Sequence, residues 1–235
     1  MKNIESLFSS IEIFDNPLTR TFNDKIRKRV IFTISGPSGV GKDAIINWIL
    51  SEYSAEFIKP VAFTTRKPRP GDIEGKDYYF IDKEKFEELK KNGEIFEYTD
   101  VHGNFYGFTN SEIERSISTG KTPICNVDEE GMRQIQENMN GDFNIFKTFF
   151  LPPNAQELKK RLVGRDGRWA GSRDDKGNKK ISDVRKRFFE SSHWIRRAQD
   201  GTMEYDAFLV NNDLESTKIL IFSTFRKIIN GELGR

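Results

Sequence analysis

From residue 30 onward, hydrophobic and polar positions alternate between two rhythms. Val30-Ile31-Phe32-Thr33-Ile34 is a short apolar run that stops at Ser35-Gly36-Pro37, as a strand buried on both faces would. Asp43 to Ser54 follows, with Ile45, Ile46, Ile49 and Leu50 at helical spacing. Further strands are predicted at Ile58–Phe63, Thr122–Val127, Asn144–Phe150 and Ala207–Val210. Helices are predicted at Ser111–Ser118, Glu129–Asn138, Asn154–Val163, Ile181–Gln199 and Leu214–Ile229. Strands separated by helices imply an α/β domain built on a mainly parallel sheet.

Two segments break the rhythm. Residues 66 to 108 read as turns, short strands and one short helix (Lys83–Lys91), rich in Gly, Tyr and charge, as a small subdomain inserted into the core would. Arg165 to Lys180 is a strongly polar stretch that reads as a long loop. Residues 1–28 carry mixed charge and scattered Phe, and form an N-terminal extension to a domain spanning 29–235.

Composition narrows the classes. With 235 residues, 36% hydrophobic content and a mean hydropathy of −0.64, the chain is polar, yet 20 Phe and 3 Trp supply a core. The net charge of +2 gives no overall field that would favour nucleic acid or a membrane surface. No apolar run approaches a membrane span, and Met1 to Ser10 lacks the apolar stretch of a signal peptide. Glu5, Glu12, Asp15 and Asp24 argue against an acid-poor transit peptide. Cys125 has no partner thiol, which suits a reducing, cytoplasmic setting, and its apolar neighbours suggest a buried strand position.

The chemistry begins at Gly36-Pro37-Ser38-Gly39-Val40-Gly41-Lys42, which matches the first seven positions of the phosphate-binding loop and stands where that loop must, between a strand and a helix. Glycines let backbone N–H groups turn toward phosphate oxygens, the helix N-terminus adds positive potential, and Lys42 supplies a mobile point charge for the β and γ phosphates. The eighth position is Asp43, where the pattern has a Ser or Thr hydroxyl for Mg²⁺; a carboxylate can take that metal directly or through water.

A second set lies downstream. Arg66 and Arg69, with the phenols of Tyr78 and Tyr106, make a donor set suited to a phosphate dianion, if they converge; scattered surface residues are the alternative. Glu97 is either a solvated strand charge or a carboxylate able to accept from the N1–H and 2-amino edge of guanine.

The run Thr64-Thr65-Arg66-Lys67-Pro68-Arg69-Pro70-Gly71-Asp72-Ile73-Glu74-Gly75-Lys76-Asp77-Tyr78-Tyr79-Phe80 resembles the acceptor-binding signature of guanylate kinases. Glu97 followed by Val101-His102-Gly103-Asn104-Phe105-Tyr106-Gly107 is similar to the second signature of that family. Pro152-Pro153, Arg161-Leu162-Val163-Gly164-Arg165 and Val210-Asn211-Asn212-Asp213-Leu214-Glu215 resemble its later motifs, so that the likeness covers roughly residues 30 to 230. It implies a P-loop NTPase-type parallel sheet flanked by helices, with an acceptor subdomain near 66–108 and a lid near 165–187. The implied reaction is transfer of the γ-phosphoryl group of MgATP to GMP or dGMP. It further implies ATP contacts at Gly36 to Asp43 and Asn211, with Asn211 near adenine. GMP contacts would come from Arg66, Arg69, Asp72, Tyr78, Glu97, Tyr106 and Asp128. Arg161, Arg165 and Arg187 would be lid arginines over the transferring group, or, read without the family, part of a solvated basic helix face. The partners would be small nucleotides, with no nucleic acid or membrane, in a monomer or homodimer.

The chain also departs from the family pattern. Ala62 and Phe108 stand where the family usually carries hydroxyls beside the base, Asp72 replaces a usual Glu, and Asn126 and Trp194 replace commonly acidic residues. Two alternatives therefore accompany the guanylate kinase reading. One is a kinase of the same fold for another phosphorylated acceptor, such as ribose 1,5-bisphosphate or a different nucleoside monophosphate. The other is a non-catalytic protein-binding module.

Overall fold

The computed structural model describes residues 29–101, 103–138, 144–168, 178–201, 203 and 205–229. The N-terminal extension 1–28 and the middle of the expected lid, 169–177, lie outside the described residues. The fold is mixed α/β. Its main sheet contains β1 (Val30–Ser35), β2 (Phe57–Ile58), β7 (Thr122–Asn126), β8 (Asn144–Leu151) and β9 (Ala207–Val210), in the order β2-β7-β1-β8-β9. The β2/β7 and β8/β9 pairs are parallel. Every residue of β1, and all but the first of β8, is buried, which is why these strands read as continuous apolar runs instead of alternating ones. Phe32 packs edge-on against Phe146 at 5.7 Å between ring centroids and lies 6.3 Å from Phe57.

A second sheet of four strands is assembled from β3 (Phe63–Thr64), β4 (Tyr79–Phe80), β5 (Ile95–Val101) and β6 (Asn104–Thr109), in the order β4-β3-β6-β5. Its two faces differ in kind. One carries Phe63, Tyr79, Ile95, Tyr98 and Phe105, which pack on Phe86 and Leu89 of α2 (Lys83–Lys91). Phe86 stacks on Phe105 with centroids 4.0 Å apart, and Asp82 caps α2 by accepting from the Lys85 N–H. That leaves the other face for chemistry.

The remaining helices are α1 (Lys42–Glu52), α3 (Asn110–Ser118), α4 (Glu129–Asn138), α5 (Ala155–Arg168), α6 (Asn178–Gln199) and α7 (Leu214–Ile229). The chain divides into two compact units. One comprises Ile34–Trp48 with the described part of Lys147–Arg235; the other comprises Ile49–Phe146 with the described part of Phe22–Thr33.

Two predicted elements need correction. The strand expected over Ile58–Phe63 is broken: β2 ends at Ile58 and β3 begins at Phe63 in the other sheet. Pro60 sits in the gap, buried and without an N–H to give to a ladder. The loop expected over Arg165 to Lys180 is shorter, because α5 continues to Arg168 and α6 already begins at Asn178. Gly164–Arg168 and Asn178–Lys180 extend the two helices beyond their last apolar positions, where neither hydrophobic periodicity nor the propensities of Gly164, Asp166, Gly167 and Asn178 mark a helix.

Candidate functional site

The phosphate loop occupies the turn from β1 into α1. Its glycines Gly36, Gly39 and Gly41 have φ of 136°, 85° and 97°, a region side chains rarely enter. At Gly36 the requirement is double, since a Cβ there would come within 2.5 Å of the Phe150 carbonyl oxygen on β8. Lys42 opens α1, and its Nζ donates to the loop's own carbonyls, Gly36 at 2.5 Å and Pro37 at 3.0 Å. The ammonium is therefore folded over the start of the loop. Asp43 is exposed in the first helical turn, next to Lys42.

Two later segments support the loop within the same unit. Asn211, just past β9, is 3% exposed, and its Nδ2 donates to the Val40 carbonyl at 2.7 Å. Arg161 on α5 donates from Nε to Glu157 at 2.9 Å, and from Nη2 to the carbonyls of Asn211 at 3.2 Å and Asn212 at 3.3 Å. The backbones at Arg165 and Arg187 lie on α5 and α6, but their side chains lie outside the described residues.

The other unit gathers most of the remaining predicted residues. Arg66 pairs through Nη1 with Asp72 at 2.9 Å, and its guanidinium lies 5.5 Å from the ring centroids of both Tyr78 and Phe80. Tyr78 meets Tyr106 with centroids 5.7 Å apart. Asp72 also accepts from the Arg69 N–H at 2.7 Å, so this carboxylate ties both arginine positions together. The Arg69 hydrogen bond, then the Arg66 pair, holds the Asp72 carboxyl below the usual carboxylate range. Burial first, then the neighbouring Tyr106, raises the Tyr78 phenol, which stays a protonated donor. An oriented guanidinium with N–H groups beyond Nη1, beside two phenolic donors, makes a clamp for a phosphate dianion.

Strand register explains how Glu97 joins this clamp. Thr64 pairs with Tyr106 and Phe80, Tyr106 pairs with Thr99, and Phe108 pairs with Glu97. Directly paired residues share a sheet face, so Phe80, Thr64, Tyr106, Thr99, Phe108 and Glu97 lie on the face opposite the Phe86 cluster. Glu97 is one row along from Thr99, about 7 Å at two strand residues. An irregularity in the pairing between Ile95 and Glu97 makes this possible. Without it, two residues of the same parity would share a face; the extra residue lets Ile95 enter the core while Glu97 faces outward to the site.

Glu97 is nevertheless only 4% exposed. No donor among the described residues hydrogen-bonds its carboxylate. Burial, with the negative Asp128 nearby, pushes its carboxyl up to about 8. A buried acceptor with no protein donor is costly, and a ligand presenting two adjacent N–H groups would satisfy it.

Asp128 and α4 brace the strand that carries this carboxylate. Asp128 accepts from the Gly131 N–H at 2.8 Å and from the Thr99 hydroxyl at 2.6 Å. The Gln134 amide clamps the outer edge of β5, accepting from the Tyr98 N–H at 3.0 Å and donating to the Tyr98 carbonyl at 2.9 Å. Gly131 supplies the room: a Cβ there would come within 2.5 Å of Glu97 Oε2. Gly131→Ala is therefore expected to raise KM for the acceptor about tenfold by displacing Glu97, while KM for the donor stays constant. Steady-state kinetics with each substrate varied checks this.

Of the residues expected at the acceptor site, Arg66, Asp72, Tyr78, Glu97, Tyr106 and Asp128 lie in this unit, where Thr99, Gly131 and Gln134, not singled out from the sequence, contact or brace them. The Asp-x-x-Gly spacing at the head of α4 was the available signal. Cys125 is fully buried on β7 and its thiol is pushed up by burial, as expected of a structural cysteine.

In one unit a phosphate loop carrying Lys42, and in the other a guanidinium–phenol clamp on the same sheet face as the buried Glu97 carboxylate, are the parts of a kinase for a nucleoside monophosphate. The guanylate kinase family model matches residues 27–226 of the chain. The chain belongs to the guanylate kinase family. It is 35% identical over 197 residues to a guanylate kinase of Anaplasma phagocytophilum, covering 84% of this chain and 86% of the relative. It is 34% identical over 192 residues to a guanylate kinase of Clostridioides difficile strain 630, covering 82% and 84%. The crystal structure of guanylate kinase from A. phagocytophilum superposes with a TM-score of 0.56 at 28% identity, covering 89% of each chain. Like other guanylate kinases, this chain is a nucleotide-binding kinase, and among its described residues no helix is long and apolar enough to cross a membrane.

Proposed function

We infer that this protein transfers the γ-phosphoryl group of ATP to GMP or dGMP, giving ADP and GDP or dGDP. The observation that carries the acceptor is Glu97: a buried carboxylate with no hydrogen-bond donor among the described residues, on the same sheet face as Tyr106. Guanine offers N1–H and the 2-amino group to one carboxylate, whereas adenine offers an acceptor at N1, so this group selects guanine. Arg66, Arg69, Tyr78 and Tyr106 would hold the acceptor phosphate, with Asp72 orienting the arginines and Asp128 beside the base.

The donor's phosphates would rest on the N–H groups of Gly36 to Lys42. The attacking oxygen belongs to the acceptor phosphate, so the protein need not form a covalent intermediate. Its work is alignment, exclusion of water and positive charge at the transferring group. Lys42, with Arg161, Arg165 and Arg187, would supply that charge on closure. Asp43, an exposed carboxylate in the first turn of α1, fits an oxygen ligand of Mg²⁺, directly or through water. Bound there, Mg²⁺ would neutralise triphosphate charge.

The test is purified protein with MgATP and GMP, dGMP, AMP, CMP, UMP or ribose bisphosphate, scored by ADP formation. ADP should form with GMP and dGMP. Turnover confined to a non-guanine acceptor overturns the reading, and no turnover accompanied by peptide binding favours the interaction-module reading. Titrating Mg²⁺ in the same assay tests Asp43: an unchanged metal dependence in Asp43→Ser removes it as a ligand. A cytoplasmic location fits the nucleotide substrates and the single reduced, buried cysteine.

A further inference from the structure

The side chain of Asn211 is buried and hydrogen-bonded through both of its polar atoms. Its Nδ2 donates to the Val40 carbonyl at 2.7 Å, and its Oδ1 lies 2.9 Å from the Thr217 hydroxyl, whose proton it shares with the Asp213 carbonyl at 2.8 Å. The amide cannot turn over, because the flip would set Oδ1 against the Val40 carbonyl. Thr217 is 3% exposed and lies in the first turn of α7. The Asn211 backbone is held as well: its N–H donates to Leu151 at the end of β8, at 2.9 Å, and its carbonyl accepts from Arg161. Three elements thus fix one amide against the phosphate loop.

We propose that Asn211 is a positioning residue for the phosphate loop, setting the Val40–Gly41 peptide so that its N–H is presented to the donor's phosphates. The argument is geometric. A trans peptide is planar, with C=O and N–H pointing in opposite directions, and the described chain has no cis peptide. Tying the Val40 oxygen to Asn211 therefore turns the Gly41 N–H away from Asn211. Gly41 holds φ at 97°, and a Cβ there would collide with Asn211 Nδ2, so glycine and amide fit each other. Released from Asn211, the peptide can rotate and remove one N–H from the anion cradle.

This inference rests on the proposal that the loop binds ATP, so its test separates the two. Asn211→Asp keeps the shape but sets an oxygen against the Val40 carbonyl. Asn211→Ser removes the strut, and Thr217→Val frees the acceptor end of the amide while leaving Asn211 in place. ADP binding is measured by calorimetry beside turnover on GMP and thermal unfolding. ADP binding should weaken, and KM for ATP should rise, about tenfold in the Asn211 variants and severalfold in Thr217→Val, with KM for GMP unchanged. Wild-type ADP affinity in every folded variant overturns the positioning role, as does a lowered melting temperature with both KM values unmoved. A wild-type chain that binds ADP but does not phosphorylate GMP overturns the kinase reading and leaves the strut to be judged on ADP binding alone.

Discussion

Lys42→Ala should lower kcat by about 10³-fold, roughly 4 kcal/mol of barrier at 1.36 kcal/mol per decade, while leaving the fold intact. The ammonium is the charge best placed on the loop to follow the γ-phosphoryl group as it leaves ADP. Two of its present partners, the carbonyls of Gly36 and Pro37, are neutral and belong to the loop itself. Exchanging them for phosphate oxygens replaces neutral acceptors with anionic ones, which is favourable. The gain grows as negative charge gathers on the leaving oxygen, so its loss falls on kcat more than on KM for ATP. The side chain is part-buried at a helix start, and removing it should change stability by less than about 1 kcal/mol. A variant that keeps more than a tenth of wild-type kcat would show that Lys42 does not stabilise the transition state. A variant that unfolds would be replaced by Lys42→Met, which keeps the apolar stem.

The elements that were legible in the sequence are those specified locally. Helix α4 begins where Asp128 caps it, and helix α7 where Asp213 accepts from the Ser216 N–H; apolar residues at helical spacing follow in each, Met132 and Ile135 in α4 and Ile221, Phe225 and Ile228 in α7. The phosphate loop was legible because strand, glycines, lysine and helix are contiguous. The switch of strands between two sheets at Pro60 was not, since both pieces carry the same apolar signal and only long-range pairing tells them apart. The surroundings of Glu97 were hidden for the same reason. Gln134 clamps Tyr98 from 36 residues away, and the register irregularity that turns Glu97 toward the site leaves no mark in composition. Charge itself misleads here: a glutamate in a strand is normally solvated, and only the packing of Gly131 against it reveals a buried one. The residues that defied local rules were thus those of the candidate site, where function tolerates a cost to the fold.

That cost yields the second large effect. Glu97→Gln should reduce kcat/KM for GMP by about 10³-fold, because an amide offers one acceptor and sets its NH₂ group against a guanine donor. The same change should stabilise the free protein in a pH-dependent way. The Glu97 carboxyl ordinarily titrates near 4.5 and is raised to about 8 by burial and by Asp128. A raised carboxyl favours folding fully below pH 4.5, where both folded and unfolded forms are protonated. The advantage is lost as pH rises toward 8, since the unfolded chain ionises first. The wild type should therefore fall progressively below the variant in stability between about pH 4.5 and 8, by an amount on the order of a few kcal/mol, and run parallel to it above that. Guanine needs the ionised carboxylate, so GMP binding near neutral pH should release a proton from Glu97, and KM for GMP should fall as pH approaches 8. Thermal unfolding from pH 5 to 9, with calorimetry of guanosine in buffers of different ionisation enthalpy, reads both effects without interference from the phosphate's own titration. A stability difference independent of pH, with no proton released on binding, would mean that Glu97 is solvated in the free protein. Base selection would then have to come from another group.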